Sequence, residues 1–135
     1  MQDGHKVHGI QRADMETPRG TIKGEIHTNS VGPGQTWTRF KGIAETYLQG
    51  MITPIDEETV HVRFAFSQPL KDGKKPEGGV EAAIIKDICK QIREDTPIWE
   101  NKIYRPLPVL CDGDGPIAKF RKWYKQFYVD FDGKL

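Results

Sequence analysis

Apolar and polar residues alternate along much of the first half of the chain, which is the pattern of strands in a half-buried sheet. The alternation is weak over residues 21–27, resumes over 36–40 after a Gly-Pro-Gly turn, and is clearest over 59–66. In that last segment the side chains predicted to share one face are Val60, Val62, Phe64 and Phe66. Residues 1–20 have no sustained period and are interpreted as a loop or a severed connection. The pattern predicts an antiparallel sheet with one solvated face.

A helical period replaces the alternation after residue 79. Residues at steps of four, four, four, three and four fall on one side of a helix: Val80, Ile84, Ile88, Ile92, Asp95 and Trp99. Five of these are apolar and one is a carboxylate. Pro97 lacks a backbone N–H, so it is predicted to kink this helix or to end its regular part near Asp95 or Thr96.

A second amphipathic helix is predicted from residue 117 to about residue 131. Its apolar face is formed by Ile117, Phe120, Tyr124, Phe127 and Phe131. Strands followed by helices, rather than alternating with them, are typical of an α+β domain in which helices cover one face of an antiparallel sheet.

Charge and composition narrow the function classes. The 20 Lys and Arg residues nearly balance the 19 Asp and Glu residues, and a net charge of +1 creates no long-range attraction for nucleic acid or for an anionic membrane. Basic and aromatic residues interleave over residues 119–125, as in single-strand binders, but the aromatics fall largely on the packing face of the helix, so no nucleic-acid partner is expected. Without a signal peptide or about 18 consecutive apolar residues, a cytoplasmic protein with no membrane span is expected.

Asp95 is the unusual residue, because an ionised carboxylate on an apolar stripe needs a cation, a hydrogen-bond donor or a capping role. A metal would satisfy it, since ferrous oxygenases typically hold iron with two histidines and one carboxylate. Alternatively, Asp95 or Thr96 caps a new helical turn with Pro97 at its first position. The histidines do not decide between these alternatives, because their spacing indicates isolated surface or sheet residues.

Two blocks of residues carry a family resemblance. They are Asp95-Thr96-Pro97-Ile98-Trp99-Glu100-Asn101-Lys102 and Arg121-Lys122-Trp123-Tyr124-Lys125-Gln126-Phe127-Tyr128, with Pro108-Val109-Leu110 and Asp114-Gly115-Pro116 between them. In order and approximate spacing they resemble the C-terminal end of Rieske-type non-haem iron oxygenases that act on steroids, the 3-ketosteroid 9α-hydroxylases and cholesterol 7-desaturases. The strong similarity covers residues 95–129, about a quarter of the chain.

The resemblance implies a helix-grip fold, in which a curved antiparallel sheet wraps a long C-terminal helix and encloses an apolar pocket. It implies that Asp95 is the third ligand of a mononuclear Fe(II), and helical spacing then directs Ile88, Ile92 and Trp99 towards substrate in that pocket. The implied reaction is hydroxylation or desaturation of a steroid-like or polycyclic apolar substrate with dioxygen. The implied partners are a ferredoxin or flavin reductase as electron donor and, in the full-length protein, two further copies in a homotrimer.

The sequence departs from the family at its other metal sites. The Cys-x-His and Cys-x-x-His pairs of a Rieske 2Fe-2S cluster are missing, as are the two iron-binding histidines about five residues apart. Residues 21–135 are therefore interpreted as the C-terminal part of the oxygenase catalytic domain, inactive as an isolated fragment. The alternative is a non-catalytic helix-grip module that binds a hydrophobic ligand, because fold alone does not fix function.

Overall fold

A computed structural model describes residues 2–17, 20–42, 44–75 and 78–129. Its strands are β1 (Gln2–Asp3), β2 (Lys6–Thr17), β3 (Gly20–Val31), β4 (Gln35–Lys41), β5 (Thr46–Pro54) and β6 (Val60–Ser67). Its helices are α1 (Gly79–Glu100), α2 (Ile117–Tyr124) and a 3-10 turn, Lys125–Phe127. Residues 1–89 and 90–135 form two compact units. The predicted α+β class is confirmed, whereas the wrapping of sheet around helix that defines a helix grip stays a prediction.

The sheet is an antiparallel meander in which each strand pairs with the next in sequence. Gly32 begins the turn between β3 and β4 at φ +63°, a left-handed conformation that glycine adopts without steric cost. Between β5 and β6, the Asp56 carboxylate accepts hydrogen bonds from the backbone N–H groups of Glu58 (2.9 Å) and Thr59 (2.7 Å). These bonds hold the turn and lower the pKa of Asp56, because they favour its charged form.

Burial in the sheet is concentrated on one face. The cross-strand register places Gly24, Ser30, Thr46 and Gly50 on the same side of the sheet, and all four are buried. The predicted face of β6 lies on this side too, since Leu48 pairs with Phe66. Thr46 is fully buried, and its hydroxyl accepts a hydrogen bond from Gln68 Nε2 (2.9 Å), which also donates to the Glu81 carbonyl (3.0 Å). One amide thus ties β5 to the first turn of α1.

The interpretation of residues 1–20 as a loop or severed connection is wrong. Every residue of β2 from Lys6 to Thr17 pairs with a residue of β3, and β1 adds a short strand beyond it. The predicted boundary at residue 20 falls inside this hairpin. Pairing with β3 supplies the hydrogen bonds that stabilise β2, and cross-strand pairing of this kind overrides a weak local period.

Helix α1 begins where the helical period was predicted to begin, but it ends later than predicted. It continues through Pro97 to Glu100, so of the two predicted effects of Pro97 an end near Asp95 or Thr96 is wrong, whereas a kink at this residue stays a prediction. The Thr96 hydroxyl donates to the Ile92 carbonyl (2.8 Å), one turn earlier, as a serine or threonine inside a helix commonly does. None of the helices in the described part of the chain is long and apolar enough to cross a membrane.

The predicted C-terminal helix is shorter than expected. It ends at Tyr124, a 3-10 turn follows, and Phe131 lies outside the described residues. The buried side chain is Trp123 rather than Ile117 or Phe120, and the Trp123 ring lies 5.4 Å from Phe120 and 5.1 Å from Phe127 between centroids. The predicted apolar face omitted Trp123. Helical spacing shows which residues share a side of the helix, but it does not show which side faces the core.

A candidate metal ligand and its surroundings

Asp95 lies in the interior of α1, and its side chain is exposed to solvent in this chain. A helix interior is an unfavourable position for aspartate, because its short polar side chain competes for backbone hydrogen bonds. Within the described ranges, no residue gives Asp95 a hydrogen bond or an ion pair. The neighbouring carboxylate Glu94 differs in this respect, since Lys90 Nζ lies 3.6 Å from it at the i,i+4 spacing.

The capping alternative for Asp95 and Thr96 is wrong. An N-cap stands outside the helix and accepts a hydrogen bond from the first turn, whereas both residues lie well inside α1. The Thr96 hydroxyl instead donates backwards to Ile92. The capping role that competed with metal binding is thereby removed, and the Asp95 side chain is exposed.

The apolar residues predicted to share the site are placed on α1 as expected. Ile88 and Ile92 are half-buried, and Trp99 is 47% exposed. Steps of four, three and four residues put Ile88, Ile92, Asp95 and Trp99 on one side of a regular helix. The pocket that they are predicted to line stays a prediction.

Metal-binding side chains are scattered over the described part of the chain. The described part of the chain has no group of three or more His, Cys, Asp or Glu side chains that could hold a metal ion. Of the histidines, His8 lies in β2 and His27 in β3, so the loop predicted for residues 1–20 is corrected to a strand at His8.

His27 belongs to a polar cluster on the other face of the sheet. The Glu25 carboxylate contacts His27 Nε2 (2.7 Å), Arg12 Nε (3.1 Å) and Lys41 Nζ (3.7 Å), which belong to three adjacent strands. The pKa of Glu25 is lowered by these contacts. The hydrogen bond with His27 has the largest effect, and the hydrogen bond from Arg12 has the next largest. His27 is therefore engaged by a carboxylate two residues earlier on the same strand face, whereas the sequence gives no sign of the Arg12 contact, because only the strand register brings Arg12 and Glu25 opposite each other.

A second polar cluster lies at the start of β5. Glu45 accepts hydrogen bonds from the Tyr47 hydroxyl (2.6 Å) and from Arg39 Nε (2.6 Å), and the Arg39 guanidinium stands 5.5 Å from the centre of the Tyr47 ring. The hydrogen bond between Tyr47 and Glu45 raises the pKa of Tyr47 and lowers that of Glu45. Both clusters consist of satisfied partners, which is the arrangement expected of a solvated sheet face.

A cleft of about 560 Å³ opens at the turn end of the sheet. It is lined by His5, Val31, Gly32, Gly34, Gln35, Met51, Ile52 and Thr53. Its lining does not include Ile88, Ile92, Asp95 or Trp99.

A protein-family match covers nearly the whole chain. The model of the 3-ketosteroid 9alpha-hydroxylase C-terminal domain matches residues 2–128, and the chain belongs to this family. The match includes β1 and β2, so it extends the domain to residues that the sequence had excluded from it.

Particular relatives agree with this assignment. A probable 3-ketosteroid-9-alpha-monooxygenase oxygenase component of Rhodococcus rhodochrous is 31% identical over 88 residues, which cover 64% of this chain and 22% of that protein. Cholesterol 7-desaturase nvd of Xenopus laevis is 32% identical over 105 residues, which cover 76% of this chain and 22% of that protein. An oxygenase component from Mycolicibacterium smegmatis is 26% identical over 92% of this chain and 35% of its own length. The chain thus spans about a fifth to a third of these relatives.

Proposed function

We propose that this chain forms part of the catalytic domain of a Rieske-type oxygenase and that Asp95 is one of three protein ligands of a mononuclear Fe(II). The observation that carries the proposal is the position of Asp95: an aspartate in the interior of α1 with neither a capping role nor a partner among the described residues. Family membership supplies the reaction class, and the relatives' names supply steroids as the substrate class. The two histidine ligands and a Rieske 2Fe-2S cluster would come from residues outside this chain.

Together with two histidines, Asp95 would hold Fe(II), and the metal would supply the activation of dioxygen that hydroxylation or desaturation of an apolar substrate needs. The role we assign to Asp95 is to hold the metal by charge and position, without moving a proton. A rigid helix suits this role, since sites built on helices are positioned more accurately than sites on loops. By itself this chain should be inactive, because one carboxylate neither completes the site nor delivers electrons.

We also assign substrate contact to Ile88, Ile92 and Trp99, which lie on the same side of α1 as Asp95 by helical spacing. Trp99 carries the largest apolar surface of the three, and 47% of that side chain is exposed in this chain. Replacing Trp99 with Ala in the complete oxygenase should raise KM and lower kcat for a steroid substrate while leaving iron content unchanged. Unchanged kinetics would remove Trp99 from the proposed pocket.

Iron content provides the direct test of Asp95. In the complete protein, D95N should lose bound mononuclear iron and steroid turnover while the visible spectrum of the Rieske cluster persists. The matched control is E94Q, which neutralises the adjacent carboxylate on a different side of the helix and should retain both iron and turnover. Full iron occupancy in D95N would refute the ligand assignment.

The isolated 135-residue chain gives a second, independent measurement. After loading with Fe(II) and gel filtration it should contain far less than one iron per chain, because a single carboxylate competes poorly with water for the metal. Tight stoichiometric iron in this chain would contradict the proposal that two ligands lie elsewhere. The electron donor, a ferredoxin or flavin reductase, and a trimeric assembly follow from the family resemblance and belong to the same proposal.

A further inference from the structure

Positive charge is concentrated in α2 and in the 3-10 turn that follows it. Residues 117–127 contain four Lys and Arg residues and no Asp or Glu, so this segment carries a charge of +4. The net charge of the whole chain is only +1, which makes the rest of the chain net negative. The charge of this segment is therefore a local feature and not a property of the whole composition.

The basic and aromatic side chains of this segment lie on different sides of the helix. By helical spacing Phe120, Trp123 and Phe127 share one side, where their rings pack against one another and Trp123 is buried. Lys122 and Lys125 lie on the other side and are exposed. Neither lysine forms a salt bridge with a residue in the described part of the chain. Two cations are thus presented to solvent without a carboxylate beside them.

Arg121 holds the preceding extended segment next to this helix. Its Nη1 donates a hydrogen bond to the Arg105 carbonyl (2.5 Å), and its guanidinium carbon stands 4.8 Å from the centre of the Tyr104 ring. A carbonyl and a ring orient the guanidinium without neutralising it. Arg105, which is exposed, is thereby brought next to α2. We call the group of Arg105, Arg121, Lys122 and Lys125 the basic surface.

The basic surface is expected to remain at the surface of the complete oxygenase. Burial would remove the hydration of each cation, and a carboxylate would have to compensate for every one of them. An exposed group of like charges instead attracts a partner of opposite charge and increases the rate of encounter. The partner that fits this surface is therefore acidic.

An oxygenase of the proposed class needs one partner of this kind repeatedly. Its electrons come from a separate donor protein, which must bind and leave again during turnover. Complexes for electron transfer bury little area, and complementary charges steer and orient their encounter. Flexible, exposed lysines such as Lys122 and Lys125 suit a short-lived complex better than a permanent interface.

We propose that the basic surface docks the electron donor of the oxygenase through a patch of Asp and Glu residues on the donor. This proposal rests on the oxygenase function proposed above, but it does not depend on Asp95. An anionic membrane fits the observations less well, because an interfacial helix inserts its apolar side between lipids, whereas Trp123 on that side is buried.

Binding of an acidic 2Fe-2S ferredoxin of the plant type to the complete oxygenase tests the proposal without turnover. With oxidised ferredoxin immobilised on a sensor surface, K122E/K125E should raise the Kd about 10-fold or more in a buffer of about 20 mM salt. The difference should shrink at about 500 mM salt, because salt screens the attraction. K122Q/K125Q removes the two charges without reversing them, so its Kd should lie between those of the wild type and K122E/K125E.

A matched control changes the net charge equally at another place. K71E/K74E reverses two exposed lysines in the loop after β6 and should leave the Kd within about twofold of the wild-type value. Electron transfer provides a second readout for all the variants. In stopped-flow mixing with reduced ferredoxin, the second-order rate constant for reduction of the Rieske cluster should fall about 10-fold in K122E/K125E, whereas reduction by dithionite should be unchanged.

Three results would overturn the proposal. The first is a Kd that neither K122E/K125E nor added salt changes. The second is an equal loss in K71E/K74E, which would assign the effect to net charge. The third is cosedimentation with vesicles of phosphatidylserine and phosphatidylcholine that K122E/K125E abolishes while ferredoxin binding is kept, which would assign the surface to a membrane. The visible spectrum of a Rieske cluster in the complete protein tests the proposed function separately, so the two failures are distinguishable.

Discussion

Replacement of Asp95 by Ala should leave the isolated chain as stable as before or make it more stable. Asp95 is exposed, lies inside α1 and loses no hydrogen bond or ion pair to a described residue when it is truncated. Alanine is more favourable than aspartate in a helix interior by about 0.5 kcal/mol. The expected change is therefore a gain of about that size in the free energy of unfolding, and a rise of roughly 2 °C in Tm.

The sign of this change separates the two roles considered for Asp95. Loss of a helix cap typically costs about 1 kcal/mol, so a capping aspartate would make D95A less stable by that amount. Urea denaturation followed by circular dichroism at 222 nm measures the difference, with D95N as the matched control. Asparagine is as poor a helix former as aspartate, so D95N should not show the gain. A loss of about 1 kcal/mol or more in D95A would refute the reasoning and restore a structural role.

Three further predictions concern the sheet. Thr46→Val should lower the free energy of unfolding in urea by about 1–3 kcal/mol, because it removes the buried acceptor of Gln68 Nε2, and an additional Q68A substitution should then cost only the remaining hydrogen bond to the Glu81 carbonyl. Gly34→Ala should destabilise by about 1–3 kcal/mol in the same assay, since its new Cβ would lie 2.8 Å from the backbone oxygen of Ile52. Asp56→Asn should flatten the acid limb of a Tm-against-pH series: the lowered pKa of Asp56 contributes stability above the unfolded-state pKa, and this is lost as the pH falls through the folded-state value. An unchanged acid limb in D56N would contradict the assigned hydrogen bonds.

Local periodicity was sufficient to predict an element wherever the apolar residues recur regularly within that element. The alternation of β6 and the four-residue spacing of α1 each arise within one element, because strand and helix geometry repeat every two and 3.6 residues. Strand β6 is observed close to its predicted bounds, and α1 begins where the helical period begins, although it continues past the predicted end. The residue blocks that begin at Asp95 and Arg121 also pointed to the correct family, since a family motif is a property of the sequence itself.

The remaining features depend on contacts between residues distant in sequence. Strand β2 has little period of its own, and it exists because twelve of its residues pair with β3. The cluster around Glu25 likewise requires Arg12, thirteen residues away, to be brought opposite it by that register. No local pattern encodes a register, which is fixed by the combined fit of turns and faces along the whole hairpin.

Asp95 illustrates the difference between what the sequence determines and what only the tertiary structure decides. The sequence by itself placed a carboxylate on the apolar side of a helix and, through its neighbouring residues, connected it with a family of iron oxygenases. Whether the chain capped a new turn at that point was decided only by the structure, where α1 continues through Pro97 and Thr96 bonds back to Ile92. A proline lowers the preference for helix locally, but the continuation of hydrogen bonding on either side of it is a property of the folded segment.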